Sequence, residues 1–208
     1  MEIKQGVGHF IVQCDGRFND GYNVKGHNGQ EIVRDARYND YDNAWKQGKV
    51  IASPKEYPVP EGAILYFDHT ITKKGQFAED FCINEEKGLF RVPYFKEGLN
   101  CLAYAYSVDE EVFAINEWLF VEPVKEELET TPSGLVIVDN IEDKFYLSGE
   151  QKPKEMFGKV AFFSNYYDNW GFQKGDTLVI KKGHEYEFNI LGKTYYRVWP
   201  NFILAKAS

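Results

Sequence analysis

Ten short segments in this chain alternate apolar and polar residues with a period of two. They are HFIVQ (9–13), KVIAS (49–53), AILYF (63–67), LAYAY (102–106), WLFVEPV (118–124), KVAFF (159–163), TLVI (177–180), YEFNI (186–190), YYRVW (195–199) and FILAK (202–206). Side chains of a strand point to opposite faces in turn, so this period makes strands with one buried face. Gly, Pro, Asn and Asp clusters separate the segments, as turns require. The best helical stretch, VKEELE (124–129), is short and runs into Thr-Thr-Pro. The pattern predicts an all-β chain.

The second constraint is an internal repeat. Gly48-Lys49-Val50 recurs as Gly158-Lys159-Val160, an offset of 110 residues. PEGAILYF (60–67) matches QKGDTLVI (173–180), with Gly62 on Gly175 at an offset of 113. HFIV (9–12) pairs with WLFV (118–121) at 109. A fourth match, INEWLFVEP (115–123) to WPNFILAKA (199–207), sets Glu117 on Asn201 at only 84. That match gives the first copy roughly 29 residues more than the second. Residues 68–101 then read as an inserted hairpin or arm. The segment WLFVEPV closes one copy and opens the next. Two tandem domains are expected, 1–117 and 118–208, with almost no linker between them.

Between the first two strands of each copy lies a long polar interval. In the second copy it spans about residues 125–157. It holds Ser133-Gly134 followed by Leu135, Val136, Ile137 and Val138, flanked by KEELETTPS and DNIEDK. Two readings stand: a core strand, or a loop whose apolar tip is kept for a partner. In the first copy the interval is residues 14–47, and its apolar tip is Ile32-Val33. That tip is shorter than Leu135–Val138 and has charged residues, Glu31 and Arg34, directly on either side.

The order of features in residues 116–208 resembles the GroES-type co-chaperonin family: LFVEPV, the Ser133–Ile137 tip, Gly158-Lys159-Val160, KGDTLVI (174–180) and GHEYEFNILGKTYYRVWPNFILAK (183–206). Residues 7–67 and 100–122 follow the same plan more loosely. The resemblance implies two tandem GroES-like small β-barrels. It implies a homo-oligomeric ring that caps an ATP-dependent, GroEL-type chaperonin and closes its folding chamber. The family's mobile-loop motif maps onto Ser133, Gly134, Leu135, Val136 and Ile137, with Ser133 where a first Gly is usual and Val138 as an extra apolar residue. A ring pairs the end strands of neighbouring chains, here FILAK with HFIVQ. The family's roof hairpin would be FSNYYDNWGFQ (163–173), with SPKEYPVPE (53–61) as a reduced counterpart. A reduced roof suggests a wide opening, as in viral members with large clients.

Other signals bound the function. A net charge of −8 disfavours nucleic acid and anionic membrane as partners. The start MEIKQGVGHF has no apolar h-region and no 18-residue apolar run occurs, so neither a signal peptide nor a membrane span is expected. Cys14, Cys82 and Cys101 form no CxxC and suit free thiols in a reducing, cytoplasmic setting, the host's cytoplasm if the protein is viral. Scattered His9, His27, His69 and His184 match no metal motif, and no GxSxG, SxxK or P-loop is present. No metal, cofactor or catalysis is expected; in the family the ATPase is the partner. Tyr166, Tyr167 and Trp170 form an aromatic patch that is either structural, a sugar platform or part of the roof. The competing whole-chain reading is a virion or decorating subunit on the same tandem barrel, which binds no chaperonin.

Overall fold

The structure, a computed structural model, describes residues 5–15, 23–25, 31–33, 44–73, 80–95, 101–125, 153–182 and 186–207. The chain divides into two compact units, Met1–Asn116 and Glu117–Ser208.

Unit 1 contains β1 (His9–Gln13), β2 (Asn23–Lys25), β3 (Glu31–Val33), β4 (Gln47–Ala52), β5 (Ile64–Phe67), β6 (Cys82–Asn84), β7 (Leu89–Pro93), β8 (Ala103–Val108) and β9 (Glu111–Ala114). Unit 2 contains β10 (Leu119–Lys125), β11 (Pro153–Phe163), β12 (Thr177–Ile180), β13 (Tyr186–Ile190), β14 (Lys193–Val198) and β15 (Ile203–Ala207). Every ladder is antiparallel. One sheet runs β6-β7-β1-β4-β5-β8-β9, the other β13-β14-β10-β11-β12-β15, and β2-β3 stands as a separate pair.

The two large sheets repeat each other strand for strand. Both the chain order and the sheet order of β10 to β15 match those of β1, β4, β5, β6, β7 and β8. Register agrees as well. Val12 faces Val50 as Val121 faces Val160, and both ladders shift register just before that pair. Leu65 faces Tyr106 as Leu178 faces Lys206, with a shift again at the same step. A bulge costs one unpaired residue and bends the strand, so two at matching sites mark a shared backbone plan. The turn before β5 is copied too. Val50 N–H donates to Ala63 O and Gly62 N–H to Val50 O, as Val160 does to Asp176 O and Gly175 to Val160 O, all at 2.8 Å. Gly62 and Gly175 have φ of +88° and +94°, which a side chain would strain.

The cores follow. Unit 2 buries Leu119, Val121, Val160, Tyr167, Leu178, Ile180 and Val198 together. Their counterparts in unit 1 are Phe10, Val12, Val50, Tyr57, Leu65, Phe67 and Val92; six are buried in one cluster, and Tyr57 packs against it. Each buried aliphatic or phenyl side chain contributes about 1.5–3 kcal/mol.

Three expectations change. First, residues 68–101 are no appendage. They carry β6 and β7, the counterparts of β13 and β14. The offset falls from 113 (Leu65 to Leu178) to 106 (Val92 to Val198) and 100 (Ala103 to Ile203). Unit 1 is thus longer by 7 residues before β7 and 6 after it (113 − 106 and 106 − 100). The strand matching FILAK is β8, not WLFVEPV. Second, among the described residues β10 pairs with β11 and β14, both in unit 2, and the strand beside β8 in unit 1 is β9 rather than WLFVEPV. Third, the sheets are open among the described residues. Ladders stop at β6 and β9 in one and at β13 and β15 in the other, whereas a closed barrel needs its end strands paired.

Candidate functional site

The expected binding tip, Ser133, Gly134, Leu135, Val136, Ile137 and Val138, lies outside the described residues. Its stem does not. β10 and β11 remain paired out to Lys125 opposite Pro153, beyond a register shift between Pro123 and Lys125. The ends of the intervening segment are therefore held side by side on a laddered stem. The two strands of the stem lie close together for a local reason. Gly158 lets β11 approach β10 so closely that a Cβ there would overlap the Val121 side chain. Gly48 does the same in unit 1, where a Cβ would come within 2.8 Å of Cys14 Sγ.

In unit 1 the weaker tip, Ile32-Val33, falls in β3. Ile32 is opposite Val24 and Val33 opposite Asn23 in the β2-β3 hairpin. This segment also joins the first two strands of its sheet, β1 and β4. The two candidate segments thus occupy one topological position, each between the same bulged pair of strands.

The aromatic patch sits in the turn between β11 and β12. The predicted roof hairpin is instead a 3₁₀ turn, Asn165–Tyr167, whose Ser164 hydroxyl accepts from Tyr166 N–H at 3.3 Å. The three aromatic residues separate in role. Tyr167 is fully buried and its hydroxyl donates to Glu117 O at 2.6 Å. Burial, with Tyr166 and Glu117 nearby, pushes its phenol far above the ordinary range, so it stays neutral. Tyr166 and Trp170 are 44% and 43% exposed.

The edge strands are the third element. β15 is laddered to β12 on one side, and no described strand lies on the other. Leu204 on it is 56% exposed. The expected end-strand pair needs correction here: HFIVQ, as β1, already has β4 on one side and β7 on the other, so its edges are filled.

Sequence reasoning missed Asp68. This carboxylate follows β5 and caps the 3₁₀ turn His69–Ile71; it is buried and accepts from Tyr104 Oη at 2.6 Å and from Thr70 N–H at 2.9 Å, with His69 Nδ1 at 3.3 Å. Only the Asp-x-Thr spacing was local; Tyr104 is 36 residues away. Burial pushes the Cys14 thiol up to about 12 and raises that of Cys101, which makes both poor nucleophiles. Among the described residues no helix is long and apolar enough to cross a membrane.

No protein-family model matches this chain, and a search of curated proteins finds no match.

Proposed function

We propose that the chain is a co-chaperonin of the GroES type: a ring-forming lid that docks on an ATP-dependent chaperonin through residues 133–138. One observation carries the reading. The same strand pair, bulged at the same step, bears a long connection in both units, and in unit 2 that connection holds the aliphatic tip. A paired stem of this kind suits a segment that orders when it binds. Ordering costs chain entropy, so the affinity of one tip stays modest. Burying three aliphatic side chains gains about 1.5–3 kcal/mol each at most. A ring of such tips gains avidity while each contact can release. A partner that cycles with nucleotide requires both.

Closure of each unit into a small barrel belongs to the same proposal, as does the ring. The outer edge of β15 supports the latter. Its counterpart in unit 1, the edge of β8, is covered by β9 with Tyr106 on Phe113 and Ser107 on Val112. A strand from a neighbouring chain added to β15 would complete unit 2 in the same way and remove an exposed edge.

The test is co-sedimentation of the full chain with a seven-fold bacterial chaperonin, with and without ATP or ADP, against Leu135→Ser/Ile137→Ser. Nucleotide-dependent binding that the double variant loses is expected. Assembled protein that binds under no nucleotide overturns the reading and favours a structural subunit.

A further inference from the structure

The turn after β11 carries something that its counterpart after β4 lacks. Both turns are built alike: Tyr57 N–H donates to Pro54 O and Tyr167 N–H to Ser164 O, each at 3.2 Å. Both send that tyrosine into the core. One position earlier, unit 1 has Glu56 and unit 2 has Tyr166. The next shared bond is Ala63 N–H to Pro60 O in unit 1 and Asp176 N–H to Gln173 O in unit 2. Between these landmarks unit 2 has three more residues, since the offset rises from 110 (Tyr57 to Tyr167) to 113 (Ala63 to Asp176), and Trp170 lies in the added stretch. Unit 1 therefore builds this turn with neither ring, and the fold does not demand them.

Both rings are nonetheless held in place. Tyr167 lies 5.1 Å from Tyr166 and 5.2 Å from Trp170, and Phe172 lies 6.4 Å from Trp170. The two exposed rings are 6.0 Å apart at 43°. Fixed aromatic surface loses little entropy when a ligand arrives. Asn165, Asp168 and Asn169 beside them are exposed and offer amide and carboxylate groups to hydroxyls. No Lys or Arg occurs from 163 to 173, so the turn itself supplies no counter-charge for phosphate, sulfate or nucleic acid.

We propose that Tyr166 and Trp170 form a surface platform for a neutral sugar. One pyranose face stacks on the rings, and its hydroxyls bond to Asn165, Asp168 and Asn169. Neither this reading nor the chaperonin docking depends on the other. The experiment is an array of neutral oligosaccharides probed with the full chain, then titration of the strongest binder by tryptophan fluorescence. The variants are Trp170→Ala and Tyr166→Glu; the second places at 166 the residue type that precedes the buried tyrosine in unit 1. Saturable binding, weakened at least tenfold in both variants with an unchanged melting temperature for Tyr166→Glu, is the expected result. An array with no neutral glycan bound, or binding that survives both variants, overturns it. So does choline chloride saturating below any glycan, because a cation would then be the ligand of these rings.

Discussion

Gly158 is the residue on which the stem of the proposed docking segment turns. Alanine there places a Cβ into the Val121 side chain, 2.7 Å from its Cβ and 3.0 Å from Ile180 Cδ1. Carbon contacts settle near 3.5–4.0 Å, so something must move by about an ångström. Val121 is β-branched and buried and has few rotamers to retreat into. Overpacking of this kind costs about 1–3 kcal/mol. For a unit of about 100 residues that lowers the melting temperature by about 4–8 °C per kcal/mol. Gly48→Ala meets Cys14 Sγ at 2.8 Å and Gln13 O at 3.1 Å, and is expected in the same range. Gly192→Ala is the control. Its φ is +78° but nothing lies within 4 Å, so it reports backbone strain alone, about 1–2 kcal/mol. Thermal and urea unfolding give the totals, and hydrogen exchange at the Val160 and Gly175 amides reads unit 2. A Gly158→Ala protein as stable as the wild type would refute the close approach of β10 and β11.

Three further outcomes follow from particular contacts. Burial raises the Asp68 pKa, but hydrogen bonds from Tyr104 and Thr70 and the nearby His69 outweigh it and hold the carboxyl below its ordinary value. Its stabilisation is thus full above the unfolded pKa of about 3.9 and is lost as pH falls through the folded value. Asp68→Asn should cost about 1.5–3 kcal/mol at pH 7, a gap in urea unfolding that narrows below pH 4. Tyr167→Phe removes the 2.6 Å bond to Glu117 O and should cost about 0.5–1.5 kcal/mol by the same assay. Leu204→Glu, at an exposed position on β15, tests the proposed ring: it should shift the mass by analytical ultracentrifugation toward the monomer, and a wild-type chain that is already monomeric refutes the ring.

Strand positions were legible because the alternation of HFIVQ, AILYF or YEFNI reflects one buried face, a local property of the chain. The repeat was legible where residues are fixed by backbone geometry: Gly62 and Gly175 by positive φ, Gly48 and Gly158 by close approach. It failed where only apolar pattern was available. WLFV and FILAK satisfy the same alternation, and so does LAYAY. Pattern cannot say which of them lies beside β5 or β12. That depends on ladders such as Tyr66 to Ala105 and Val179 to Ala205, formed between residues far apart in sequence. The false match made β6 and β7 look surplus, although Arg91 opposite Ile11 repeats as Arg197 opposite Phe120.

The candidate sites divide along the same line. In SNYYDNWGF the three rings look equivalent as sequence, and burial separates Tyr167, which the fold needs, from Tyr166 and Trp170, which it does not. The discriminating signal lay in the chain all along, since Tyr57 has no tyrosine before it and no tryptophan after it in its turn. It became readable only once the hydrogen bonds of the two turns aligned Glu56 with Tyr166. In these turns the duplicated fold supplies its own control: the tyrosine that both copies bury is structural, and the rings that one copy adds at the surface are where binding should be sought.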